Sequence, residues 1–211
     1  MSENGAEPIR ERIGIMGGTF DPIHIGHLVA GEEVRARLGL SHVIFMVAGD
    51  PPHKSRRVVS DSEHRYSMTE RAIASNPDFS ASRLEIDREG PTYTVDTMVA
   101  LKRIHPEADL FFITGADAVF EIIGWERAGL LADLVTFVGV SRPGWDISAQ
   151  REEHDNASSR FKIEFLEIPA LAISSTDLRE RIRSGLPIRY LTPDPVVDYI
   201  HAHGLYRGAG R

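Results

Sequence analysis

Short apolar runs and amphipathic helical patterns alternate along most of this chain. The runs at residues 13–16, 42–47, 80–86, 110–114, 134–140 and 162–167 are largely apolar and β-branched, as buried strands are. Between them, apolar positions recur at helical spacing over 24–38, 62–75, 94–105, 118–132 in pieces, 175–184 and 193–203. Strand and helix in alternation predict an α/β fold, a doubly wound parallel sheet with right-handed crossovers and helices on both faces. In such sheets ligands bind outside the carboxyl ends of the strands. Most of the chemically notable residues fall just after a predicted strand, which makes them candidates for one shared site. The polar stretch 145–160 reads as a surface helix or insertion, and residues 1–10 and 208–211 as loose tails.

Composition narrows the class. With 211 residues and 42% hydrophobic content the chain is expected to bury one core and form a single domain, residues 1–211. Cysteine is absent, which excludes disulfides and thiolate metal sites. No apolar run approaches the roughly 20 residues a membrane helix needs. The start, MSENGAEPIRER, has no apolar signal core, so a cytoplasmic protein is the expectation. A net charge of -7 argues against nucleic-acid binding, which needs a basic face. Any anionic ligand must be met by a local cluster of His, Lys and Arg.

The densest chemistry lies in RIGIMGGTFDPIHIGH, residues 12–27. An apolar strand runs into Gly17 and Gly18, which let main-chain N–H groups approach a ligand closely, as a phosphate requires. Thr19 adds a hydroxyl, Phe20 an apolar wall, and Asp21-Pro22 a turn before a helix that starts near His24. His24 and His27, three residues apart, then share one face of the first turn, aimed outward beside free N–H groups and the positive end of the dipole. A glycine turn alone is commonplace; the whole string is not.

Other clusters admit plain and functional readings side by side. In GDPPHK, paired prolines stiffen a loop that presents His53 and Lys54, or the loop is merely exposed. Arg65 in RYSM reads as a solvated helix residue with some reach toward phosphate. Thr92 or Thr94 in GPTYTVDT suits a helix N-cap. Gly115 and Asp117 in TGAD suit either a ribose or adenine contact or a helix cap. Trp125 offers a flat aromatic face or core packing, and Arg142 in SRPG adds charge or closes a turn. In ISSTDLR, Ser174, Ser175 and Thr176 sit at a helix start after Ile173, with Arg179 one turn on from Ser175.

The string GGTFDPIHIGH, taken with ISSTDLR, resembles the two signature motifs of the nucleotidylyltransferase superfamily, and specifically those of bacterial nicotinate-nucleotide adenylyltransferases. The likeness runs from Ile13 to Tyr206 and includes PPHK, TYTVDT, TGAD with Trp125, and the tail PDPVVDYIHAHGLYR. It departs from the family at Val47 and Asp50. The resemblance implies a Rossmann-like sheet of nucleotidylyltransferase type and transfer of the adenylyl group of ATP to nicotinate mononucleotide. It implies ATP contacts from Gly17, Gly18, Thr19, Phe20, His24, His27, Gly115, Asp117, Ile173, Ser174, Ser175, Thr176 and Arg179. Nicotinate mononucleotide would meet Gly18, Thr19, His53, Lys54, Thr94, Trp125 and Arg142. His24, His27, Lys54 and Arg179 would carry catalysis, with Mg²⁺ bound to ATP rather than in a protein cage. No nucleic-acid or membrane partner is expected, and a homo-oligomer is possible. Three rivals stand beside this reading. One is a class I aminoacyl-tRNA synthetase, suggested by the spelling HIGH; another is phosphopantetheine adenylyltransferase; the last is a non-catalytic nucleotide sensor on the same fold.

Overall fold

The structure, a computed structural model, describes residues 10–50, 60–125, 127–141, 143–144, 160–169 and 171–207. The described strands are β1 (Arg12–Gly18), β2 (His42–Val47), β3 (Phe79–Ser82), β4 (Asp109–Gly115), β5 (Val135–Ser141) and β6 (Lys162–Glu167). The helices are α1 (Ile25–Leu38), α2 (Ser62–Ile73), α3 (Thr94–Ile104), α4 (Ala116–Ile123), α5 (Ser175–Arg183) and α6 (Asp194–Ala202), with a 3₁₀ turn at Ala128–Asp133. All the strands pair in parallel in the order β3-β2-β1-β4-β5-β6. This is the doubly wound α/β arrangement, whose order reverses between β1 and β4.

Each central strand feeds two cores, because successive side chains point to opposite faces. On one face Met16, Val43, Phe45, Val47, Phe111 and Ile113 pack with Val34 of α1, Met68 of α2, Leu178 of α5 and Val196 and Ile200 of α6. On the other, Ile13, Ile15, Ile44, Met46, Leu110 and Phe112 pack with Val95, Met98 and Leu101 of α3 and Val119 of α4. Burial on both faces explains why these strands read as continuous apolar runs.

Two elements are shorter than the apolar pattern predicts. β3 ends at Ser82, because the Leu84 N–H donates to Ser82 Oγ at 3.2 Å and Asp87 N–H to the Arg83 carbonyl at 2.9 Å, which turns the chain off the sheet. The pattern over 118–132 breaks at Gly124, and Arg127 takes a left-handed φ of 70° before the 3₁₀ turn.

The carboxyl-terminal third closes back on β1. Tyr206, 7% exposed, donates its hydroxyl to Asp21 Oδ1 at 2.6 Å, and the Ser60 N–H donates to Asp21 Oδ2 at 3.3 Å. Burial and the Asp21 carboxylate push the Tyr206 phenol well above its ordinary value, so it stays protonated and donates to that carboxylate. Tyr206→Phe leaves a buried carboxylate oxygen short of this donor. It is expected to cost about 1–3 kcal/mol in urea-unfolding stability with the fold retained by circular dichroism.

Candidate active site

A crevice opens where the strand order reverses. The β1–β2 ladder runs to Gly18↔Val47, but the β1–β4 ladder stops at Met16↔Ile113. Beyond that pair Gly17 and Thr114 are no longer partners; Gly17 and Gly18 stay inside β1, paired with Met46 and Val47, instead of forming the turn expected of them, and the turn begins at Thr19. Ligands of doubly wound sheets sit at such switch points.

The turn after β1 is built around Phe20. This residue holds a left-handed φ of 50°, a conformation that non-glycine residues rarely adopt, and is 2% exposed. Its ring lies so close to Gly18 that a Cβ there would stand 2.6 Å from Cε1. Glycine at 18 therefore allows Phe20 to fold inward. There Phe20 meets the edge of His27, with ring centroids 5.1 Å apart at 88°.

His24 is the N-cap of α1, with an extended backbone (φ -145°, ψ 170°), and His27 lies in the first turn. Their rings stack at 3.7 Å with an interplanar angle of 22°. A Cβ at Gly26 would come within 3.1 Å of His24 Nδ1, so the glycine of HIGH leaves room for that ring to fold back. The His24 N–H donates to His27 Nδ1 at 3.2 Å. Nδ1 of His27 is thus the acceptor, and its neutral ring carries the proton on Nε2. His24 is more buried than an outward-pointing pair would be, at 7% exposure, and burial lowers its pKa from 6.5 to about 4. Its Nδ1 is buried with no hydrogen-bond partner among the described residues.

The second motif docks on the same turn. Ser174 caps α5 by accepting from the Asp177 N–H at 3.0 Å. Ser175 Oγ donates to the Pro22 carbonyl at 2.8 Å, and Arg179 donates to the Asp21 carbonyl at 2.7 Å and to Thr176 Oγ1 at 3.3 Å. The N-termini of α1 and α5 thereby converge, and their dipoles favour an anion between them. Ile173 immediately precedes the cap and is half-buried against the first core.

The other sequence-predicted residues that are described lie on α3 and on and beyond α4. Gly115 is the N-cap of α4 and Asp117 lies exposed in its first turn, so the capping role considered for Asp117 belongs to Gly115. Thr94 opens α3, whose N-cap is Tyr93 with no side-chain cap bond; neither threonine considered for that role caps the helix. Trp125 is half-buried beyond the carboxyl end of α4, packed against the second core. His53, Lys54 and Arg142 lie outside the described residues.

Comparison with known proteins agrees with this geometry. The cytidylyltransferase-like family model matches residues 15–181. A probable nicotinate-nucleotide adenylyltransferase of Saccharopolyspora erythraea is 54% identical over 199 residues, covering 94% of this chain and 91% of that protein. One of Moorella thermoacetica is 50% identical over 199 residues, 93% of this chain and 92% of that one. The chain belongs to the nicotinate-nucleotide adenylyltransferase family. Its fold is shared with the Plasmodium falciparum nicotinic acid mononucleotide adenylyltransferase complexed with NaAD. That structure has a TM-score of 0.73 at 20% identity and covers 93% of this chain and 98% of its own.

Three residues that hold the turn between β1 and α1 were not legible in the sequence as doing so. Arg65 is 1% exposed rather than solvated; Thr192 donates to the Ile23 carbonyl at 2.8 Å; Tyr206 holds Asp21. An arginine on an amphipathic helix and a tyrosine near the end of a chain carry no sequence signal of their own, because what marks them is a partner far away along the chain.

The depressed pKa of His24 has a thermodynamic consequence. Between pH 6.5 and about 4 the unfolded chain takes up this proton and the folded one does not. The contribution of neutral His24 to stability is therefore complete above pH 6.5 and lost as pH falls toward 4. NMR titration of the ligand-free protein should place the His24 imidazole near 4, and His24→Gln should flatten the pH dependence of urea unfolding across that window.

Proposed function

We propose that this chain transfers the adenylyl group of ATP to nicotinate mononucleotide, releasing pyrophosphate and forming nicotinate adenine dinucleotide. The observation that carries the proposal is that Ser175 and Arg179 at the start of α5 donate to the Pro22 and Asp21 carbonyls, in the turn that leads directly into the stacked His24–His27 pair. The family's two motifs form one surface there, and relatives of 50–54% identity bear the corresponding name.

In this reading a phosphate oxygen of the mononucleotide attacks the α-phosphorus of ATP in line. The bond from α-phosphorus to the bridging oxygen breaks, and that oxygen leaves with pyrophosphate. Nucleotidyl transfer of this kind depends on positioning and charge stabilisation, with no covalent protein intermediate needed. His27 donates from Nε2 to the α-phosphate oxygens. His24, neutral in the free protein, gains proton affinity as a triphosphate arrives. Arg179 and the amides of Ser174, Ser175 and Thr176 hold the pyrophosphate side, while Gly17 and Gly18 at the end of β1 and the turn at Thr19 and Phe20 lie beneath the α-phosphate. Gly115 and Asp117 face the adenosine across the crevice. Thr94 and Trp125 hold the nicotinate carboxylate and ring, with Lys54, His53 and Arg142 on the acceptor side.

Among the described residues no group of three or more His, Cys, Asp or Glu side chains could hold a metal ion. In this reading a divalent cation such as Mg²⁺ would be carried on the phosphate oxygens of the nucleotide.

The test is pyrophosphate release from ATP and Mg²⁺ with nicotinate mononucleotide, nicotinamide mononucleotide and phosphopantetheine offered separately. Release with nicotinate mononucleotide far above the others supports the proposal. Release only with phosphopantetheine defeats the acceptor assignment, and ATP binding without release favours a sensor. His27→Ala is expected to lower turnover on the order of 100- to 1,000-fold with the fold intact, as loss of a transition-state donor does; a near-normal rate would remove His27 from the mechanism.

A further inference from the structure

Helix α2 carries a charge in an unusual place. Arg65 is 1% exposed, and all its hydrogen bonds go to main-chain carbonyls: Nε to Ser60 at 3.2 Å, one terminal nitrogen to Thr19 at 3.0 Å and Ala48 at 2.7 Å, the other to Gly49 at 3.4 Å. Taking a guanidinium out of water is costly unless its donors are met, and here neutral carbonyls meet them. Burial lowers the pKa of this arginine, while the nearby Asp21 carboxylate favours its charge.

The positions of those acceptors tell what the charge does. β1 and β2 stop pairing at Gly18↔Val47, with one more main-chain bond from the Ala48 N–H to the Gly18 carbonyl at 2.9 Å. Thr19 and Ala48 are the next carbonyls outward, and one nitrogen of Arg65 bridges them across the point where the strands diverge. Gly49 and Ser60 mark where the described chain leaves β2 and where it returns before α2. Ser60 is in turn joined to Asp21. A single planar fork thus fixes three stretches of main chain that the sheet no longer holds.

We propose that Arg65 is a positioning residue for adenylyl transfer. It sets the distance between the histidine-bearing turn after β1 and the chain leaving β2, and so the alignment of acceptor with α-phosphate. This rests on the reaction proposed above. In the proposed reaction α5 grips the pyrophosphate side of ATP from beyond the turn, so loss of the fork is expected to shift acceptor and α-phosphate relative to each other more than it weakens nucleotide binding. Lysine keeps the charge but lacks the fork, and cannot span these acceptors together.

The test compares Arg65→Lys with Met98→Ala, a cavity variant in the opposite core that touches none of this network. A misalignment near 1 Å costs on the order of 100-fold in rate. Arg65→Lys is therefore expected to lower kcat about 10- to 100-fold, with the ATP dissociation constant by calorimetry within about threefold of wild type. Met98→Ala should lose thermal stability while keeping kcat. Should Arg65→Lys fail to fold, Arg65→Gln, which retains two donors, is measured at 15 °C in its place. A kcat within threefold of wild type overturns the proposal, as do equal losses in Met98→Ala, ATP affinity falling in step with kcat, or failure of both Arg65 variants to fold. The comparison uses whichever acceptor the wild type turns over, so a wrong acceptor leaves it valid. A wild type that releases no pyrophosphate with any acceptor is recognised first, as failure of the reaction itself.

Discussion

The structure depends on how the main chain between β1 and α1 is satisfied. From Thr19 to Ile23 the chain belongs to no strand or helix, yet much of it is buried, and buried carbonyls left unpaired are costly. Four of the five carbonyls are taken by side chains from far along the sequence: Thr19 by Arg65, Asp21 by Arg179, Pro22 by Ser175 and Ile23 by Thr192. The Ile25 N–H, in the first turn of α1, donates to the Leu191 carbonyl at 3.0 Å. The turn that presents His24 and His27 is therefore a product of the whole fold rather than of its own residues. Its rigidity is borrowed from α2, α5 and the segment before α6.

This borrowing separates what could be read from the chain from what could not. The six strands and their flanking helices were legible because both faces of each central strand are buried, which writes an unbroken apolar run. The string GGTFDPIHIGH stood out in the sequence because it gathers glycines, a proline and two histidines within a few residues, and its helix start near His24 is where α1 begins. Even the ISSTDLR helix start was visible as a cap. Invisible was the fact that Ser175 and Arg179 donate to the first motif's own carbonyls. Two motifs more than 150 positions apart, with separations of 153 and 158 residues for those bonds, give no local pattern of their contact. The missed burial of Arg65 has the same origin, since its acceptors are main-chain carbonyls that every residue possesses. The overlong expectation for β3 failed for a local reason: Ser82 offers its hydroxyl to the Leu84 N–H and competes with the ladder.

The histidine pair shows how folding and chemistry share atoms. His24 gives its main-chain N–H to His27 Nδ1, an act of helix capping that also fixes which nitrogen of His27 bears the proton. Gly18 and Gly26 are small for a related reason. One admits the Phe20 ring that buttresses His27, and the other admits the His24 ring itself. Substitution at either glycine acts on the imidazoles through packing, before any ligand is present.

The same network answers an electrostatic difficulty. A chain of net charge -7 is a poor host for a triphosphate unless positive potential is concentrated locally. Most of the described arginines in ion pairs, among them Arg35, Arg37, Arg83, Arg127, Arg183 and Arg189, lie beside carboxylates at the surface, where their fields are cancelled and screened. Among the described residues Arg65 and Arg179 form no ion pair; they donate to main-chain carbonyls and, from Arg179, to one hydroxyl. Dipolar acceptors satisfy a guanidinium without neutralising it. The buried Asp21 carboxylate offsets one of these two charges, and the other remains, together with the starts of α1 and α5, at the crevice where the phosphates are proposed to lie. Satisfying arginine with main chain instead of carboxylate is thus what lets an acidic protein keep a cationic site.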